Sequence, residues 1–231
     1  MNKNKRVSIG AGVLTAPVPP VIVTVGEGEC ANMITIGWTG ILATKPPKTY
    51  ISVRPERYSY GILKERGEFV INLADTSLCK KVDYVGIYTG KKVDKFKETG
   101  LTPIPSEKVA CPTIAECPVS IECRVSDIIS MGTHDVFIAD IVAVSCRADI
   151  VDENGRADFA KADLLAYAHG EYYALGKRLG KIGFSTSKED EASDGESKKA
   201  PFYKGLPRRA PGTRRAATDK DKGKPKGRRK K

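Results

Sequence analysis

The stretch from Asn32 to Ala74, NMITIGWTGILATKPPKTYISVRPERYSYGILKERGEFVINLA, gathers side chains able to do chemistry. Thr35, Trp38, Thr39, Ser52, Arg54 and Ser59 stand in a run that alternates like β-structure. Asn32, Thr35, Trp38 and Thr39 lie on one strand and its exit, and Ser52, Arg54, Arg57 and Ser59 on the next strand and its exit. If these strands are neighbours, hydroxyls, one or two guanidiniums and an indole converge at a common edge. Hydroxyls and arginine at strand ends suit a phosphate, which takes charge-assisted hydrogen bonds. An amide and an indole suit a flat polar ring. Two readings stay open on residues alone: a site for an anion joined to an aromatic ring, or a barrel whose exposed strand faces are merely polar. There is no G-x-G-x-x-G and no P-loop, so the common dinucleotide and triphosphate motifs are absent.

The elements that must position these residues read mostly as strands. PVIVTVG is a first strand, GEGE at 26–29 a turn, and CANMITIGW resumes the β pattern. ATKPP reads as a loop, because Pro46 and Pro47 forbid helix. KTYISVR alternates Tyr50, Ser52 and Arg54 against Ile51 and Val53. YSYGILKERG reads as a short helix stopped at Gly67, and EFVINLA as a buried strand. TSLCKKVDYVG places Leu78, Val82 and Val85 at helical spacing before a closing Gly86, and YTGKKVDKFKETG is a Gly/Lys loop leading to a short helix. Residues 102–118 are irregular, and two long antiparallel strands then join at SMGTH. About six or seven strands with two or three short helices favour an antiparallel barrel or sandwich.

The net charge of +11 is uneven: residues 186–231 hold 16 of the 39 basic but only 7 of the 28 acidic residues. We therefore divide the chain into a folded domain, 1–185, and a polar, disordered basic tail, 186–231. Such an arm fits nonspecific contact with polyanions, but with only Phe202 and Tyr203 as aromatics it lacks a base-stacking pattern. Six cysteines are too few for a disulfide scaffold. The regular spacing of Cys111, Cys117 and Cys123 reads as buried thiols rather than a metal site. Prolines 17, 19 and 20 interrupt the apolar start and argue against a signal peptide. No segment approaches a membrane span, and a reducing cytoplasm is the expected compartment.

A flat ring carrying a phosphate describes a nucleotide or flavin mononucleotide. The blocks PVPPVIVTV, NMITIGWTG, PPKTYISVRPERYSYGILKERGEFVINL, GKKVDKFKETGLTP and LLAYAHGEYYALGKRLGKIGFS, in this order over roughly 13–185, resemble the flavoredoxin branch of the flavin reductase-like, FMN-binding split-barrel family. The resemblance implies a mainly β fold, a six-stranded antiparallel Greek-key split barrel with a few short helices. It also implies a homodimer binding one FMN per subunit near the dimer interface. By resemblance, Asn32, Thr35, Trp38 and Thr39 line the isoalloxazine and ribityl side, while Ser52, Arg54 and Ser59 hold the phosphate and adjoining chain. Asn72 sits beside the flavin or supports its strand. Gly90, Lys91 and Lys92 close over the cofactor, with Phe96 as an anchor. His134 falls near the flavin or nicotinamide site, or is a structural strand-end histidine. His169 and Tyr173 belong to the closing segment, where Tyr172 and Tyr173 serve as lid, dimer contact or core. The implied activity is oxidoreduction through FMN, from NAD(P)H or a ferredoxin-like protein donor to an acceptor. The alternatives are an FMN-bearing electron carrier without a small-molecule substrate and, from another class, a polyanion-binding protein acting through its tail.

Overall fold

The computed structural model describes residues 4–186. The basic tail therefore lies, past its first residue, outside the described residues. The described chain forms one unit up to Leu179, and a separate segment from Gly180 holds a single turn at Phe184–Thr186.

In chain order the elements are β1 (Val21–Val25), β2 (Asn32–Ile36), β3 (Thr39–Thr44), β4 (Pro47–Val53), α1 (Tyr58–Arg66), β5 (Glu68–Leu73), α2 (Cys79–Ile87) and α3 (Lys95–Thr99). The short strands β6 (Pro103–Ile104) and β7 (Thr113–Ile114) follow, then the long β8 (Val119–Ser130) and β9 (Asp135–Cys146), and the hairpin β10 (Leu165–Ala168) and β11 (Glu171–Ala174). The main sheet has seven strands in the order β2-β1-β5-β8-β9-β4-β3, and every pairing is antiparallel. The strand count read from the sequence is six or seven, and the family resemblance implies six. The added strand is β3, whose Ile41 and Leu42 are exposed on a sheet edge. An edge strand that buries so little shows no alternation in its sequence.

The edge strands β2 and β3 are joined by Gly37 and Trp38 alone. Strands at opposite ends of a seven-strand order can be joined so briefly only if the sheet curls round on itself. The apolar packing agrees, because Ile34 and Ile36 of β2 share one core with Ile51 and Val53 of β4, Phe69 and Phe137. The backbone N–H of Ser52 donates to the Trp38 carbonyl at 2.9 Å, so Trp38 sits on the seam of this open, split sheet.

β1 is buried throughout. Val21, Val23 and Val25 face the inner core, and Ile22 faces a second core with Met33, Leu78, Val82 and Val85. Each such side chain contributes roughly 1.5–3 kcal/mol of burial. The expected apolar stripe of α2 is thus used in full, although the helix runs on to Ile87 rather than closing at Gly86. Gly86 has another use: a Cβ there would lie 3.2 Å from the Thr35 Cβ, so its absence lets α2 settle onto β2. The cysteines of the regular series lie in three different apolar clusters. Burial pushes the Cys111 and Cys117 thiols up to about 12 and Cys123 upward too. Among the described residues no helix is long and apolar enough to cross a membrane.

Candidate functional site

A cavity of about 330 Å³ opens at the start of α1. It shares Ile34, Arg54, Arg57 and Gly86 with a cavity of about 560 Å³ between the seam and α2, so the two form one groove. At the α1 end, Asn32 and Ser59 are both buried, and the Asn32 amide donates to Ser59 Oγ at 2.8 Å. That bond uses Ser59 as acceptor and leaves its hydroxyl proton for a ligand. The N-cap residue of α1, Arg57, makes no side-chain cap; the Tyr60 N–H donates to the Arg57 carbonyl at 2.9 Å, which leaves the Tyr58 and Ser59 end of the helix, both residues lining the cavity, to favour an anion. Gly90 passes so close to Asn32 that a Cβ would sit 2.2 Å from Oδ1. Any larger residue would have to push the Asn32 side chain aside, so Gly90 brings the 88–94 loop against the start of β2.

The same end concentrates positive charge. Arg54 is half exposed and meets Glu56 at 3.3 Å. Lys95 is 4% exposed, and its ammonium donates to the carbonyls of Met33 and Val85, both at 2.7 Å. Burial, reinforced by the nearby Arg57, lowers Lys95 to about 8, since no carboxylate compensates its charge. A buried cation with only carbonyl partners beside a helix N-terminus favours an anion.

The seam end is aromatic. Trp38, 45% exposed, stands 5.9 Å from the His134 ring, and both line the groove with Ser52, Tyr167 and Tyr172. The Met131 N–H donates to the His134 carbonyl at 2.8 Å, so the tight β8–β9 turn fixes this histidine opposite the indole. Tyr172 packs edge-on to Tyr167 with ring centroids 5.4 Å apart and donates to Asp83 at 3.2 Å. Burial first, then Asp83, holds its phenol up at about 12, so it stays protonated at neutral pH.

The flavin reductase like domain model matches residues 14–176. The chain belongs to that family. The flavoredoxin of Desulfovibrio vulgaris (Miyazaki F) is similar in structure, with a TM-score of 0.74 and 32% identity, covering 79% of this chain and 100% of that one. The flavoredoxin of Methanosarcina acetivorans gives a TM-score of 0.72 and 26% identity with the same coverage, 79% and 100%. An uncharacterized protein of Aeropyrum pernix is 34% identical over 130 residues, 55% of this chain and 49% of the relative, so the chain spans about half of that relative's length.

In this flavin reductase-like chain the groove brings together Trp38, Ser52, Arg54, Ser59, Gly90 and His134, with Thr35 on its wall. The Thr35 hydroxyl is committed to the Val82 carbonyl at 2.5 Å. Asn32, Lys91 and Lys92 line an adjoining cavity of about 810 Å³ that shares Tyr58, Gly90 and Lys95. Phe96 packs at the edge of the α2 core. Thr39 and His169 line a further cavity that adjoins the groove at Trp38 and Tyr167. Two expected residues line none of these spaces. Asn72 is fully buried; its amide donates to the Ile22 carbonyl at 3.0 Å and its oxygen accepts from Ser120 Oγ at 2.7 Å, which pins β5 to its neighbours. Tyr173 points away and its hydroxyl donates to Glu171. Alternation along β11 puts Tyr172, paired with Tyr167, in the groove instead. The sequence pointed to Gly86 only as a helix stop and did not single out Lys95, whose available signal was its place beside Phe96 at the start of a short helix.

Proposed function

We propose that the protein is an FMN-dependent oxidoreductase of flavin reductase type, passing electrons from a reduced nicotinamide nucleotide through FMN to an acceptor. The carrying observation is the polarity of one continuous groove: buried cation, free hydroxyl proton and helix N-terminus at one end, Trp38 and His134 at the other. This fits a molecule with a phosphate at one end and a flat ring at the other. Ser59, the first N–H groups of α1, Arg57, Arg54 and Lys95 would hold the phosphate, and Ser52, Gly86 and Trp38 would flank the ring. When bound, FMN supplies the two-electron chemistry. The chain's own work is to orient the ring and control who reaches it; no side-chain nucleophile or base is required. The Tyr172 phenol, protonated and tied to Asp83, offers a fixed polar wall rather than a proton in transit. We further propose a homodimer, since Ile87 and Tyr88 beside the groove are exposed apolar side chains that a second copy would cover.

The test is an absorbance spectrum of the purified protein, followed by anaerobic NADH and then NADPH. Bands near ~370 and ~450 nm that bleach within seconds support the whole reading. Bands that persist until dithionite is added retain the cofactor but make the protein an electron carrier served by a protein donor. Protein that neither contains flavin nor takes up added FMN overturns the proposal.

A further inference from the structure

We infer that the cavity adjoining the groove at Trp38 and Tyr167 is an acceptor site for a neutral, flat, conjugated ring of quinone type; this rests on the flavin reading above. The cavity measures about 730 Å³, within the range of small-molecule sites. It shares Val13, Gly37, Trp38 and Tyr167 with the groove, so an occupant would adjoin the proposed flavin site at Trp38. Its walls are Val13, Leu14, Trp38, Tyr50, Tyr167 and His169. None of its described lining residues is Lys, Arg, Asp or Glu, although 29% of the chain is charged.

That absence of charge selects the ligand. A free flavin phosphate or an anionic ferric chelate would lose hydration here and gain no cation, whereas the cavity at the opposite end of the groove carries charge of both signs, Lys91, Lys92 and Lys95 with Glu27, Glu29 and Asp94. A neutral ring loses little on leaving water and gains stacking on Trp38, Tyr50 and Tyr167. The Thr39 hydroxyl is committed to the Tyr50 carbonyl at 2.6 Å. The Tyr50 phenol, the Thr15 hydroxyl and the His169 imidazole are then the polar groups available to quinone carbonyls. His169 is held at the β10–β11 turn with φ of 50°, a conformation that costs a non-glycine residue energy; it places the imidazole at the rim. In the overall change the quinone gains two electrons and two protons and becomes the hydroquinone. The reduced nicotinamide is oxidised and supplies both electrons and one proton as hydride; water supplies the second proton.

Trp38 is the sole tryptophan, so its fluorescence reports occupancy without any turnover. The experiment titrates the purified protein with a neutral hydroxymethyl-anthraquinone and with the ring-matched anthraquinone sulfonate, in wild type and in Leu14→Arg. Leu14 lines this cavity but not the groove. Support consists of quenching by the neutral ring at a concentration roughly tenfold lower than by the sulfonate, a preference lost in Leu14→Arg with flavin content and circular dichroism unchanged. Equal quenching by both compounds, or none, overturns the inference. Loss of flavin in a folded Leu14→Arg protein also overturns it, by assigning the cavity to the flavin itself. Flavin-free wild-type protein that takes up no FMN removes the underlying functional reading, and is seen separately.

Discussion

At the α1 end of the groove, Asn32, Ser59 and Lys95 are buried and bonded to one another or to backbone. At the seam end, Trp38 is 45% exposed and meets His134 only through a tilted ring contact. The first end has few ways to rearrange, because each polar atom moved would leave another without a partner in a dry place. The second can admit and release a molecule without breaking buried hydrogen bonds. A cofactor that stays and a substrate that comes and goes need these two kinds of wall. The contrast assigns retention to α1 and the 88–94 loop, and exchange to the seam.

The largest expected effect strikes the rigid end. Gly90→Ala puts a methyl where a Cβ would lie 2.2 Å from Asn32 Oδ1, and Asn32 is itself held by its bond to Ser59. Overpacking of this kind costs about 1–3 kcal/mol, read as a lower urea midpoint, and FMN affinity should fall with it as Asn32 is driven off Ser59. Adding Asn32→Ala should restore the midpoint but not the affinity. A Gly90→Ala protein as stable as the parent would show that the loop is free to move. Next comes Arg57→Ala, expected to weaken FMN by about 1.5–3 kcal/mol through loss of a charged contact. Arg54→Ala should cost less, since Arg54 is already paired with Glu56. Isothermal titration with FMN ranks the two; the reverse order would move the phosphate outward along the groove.

The sequence made the hydrophobic skeleton legible: the apolar runs of β1 and β5, the alternation of β4 and the Leu78, Val82, Val85 stripe each found a core. It showed which residue types would serve a phosphate and a ring. It did not show which face each residue takes. Asn32 and Thr35 stand on opposite faces of β2, opposite Val25 and Ile22 of β1 respectively, and one-residue parity also separates Tyr172 from Tyr173. β3 was hidden because an exposed edge strand carries no pattern. Lys95 was hidden because its importance lies in burial, and a lysine's burial depends on contacts 62 residues away in sequence.

Lys95 also makes the rigid end respond to pH. In the folded chain it loses its proton near pH 8, against about 10.4 for an ordinary lysine. The unfolded chain binds that proton more tightly, so this residue's contribution raises apoprotein stability between about pH 8 and 10.4 and is flat below pH 8. FMN responds in the opposite sense. A bound phosphate favours the charged ammonium and raises its pKa, so FMN affinity should fall as pH rises through about 8, by no more than tenfold per unit for one proton. Lys95→Met should abolish this slope. A dissociation constant that is level from pH 7 to 10 in the wild type would place the phosphate away from Lys95.

The smallest effect on binding belongs to the flexible end. His134→Ala removes a ring that touches Trp38 at a centroid distance of 5.9 Å and shares a hydrogen bond only with its neighbour Thr133, at 3.0 Å. An exposed aromatic contact of this type is worth about 0.5–1.5 kcal/mol, so most of the flavin should remain bound. Its removal should instead alter the approach to the ring: stopped-flow bleaching by NADPH should slow, with the dependence on nucleotide concentration shifted. The comparison sharpens if Arg57→Ala shows the converse, weak flavin but normal bleaching of the fraction that is bound. It breaks if His134→Ala expels FMN as effectively as Arg57→Ala does, because retention would then be shared along the whole groove rather than concentrated at α1.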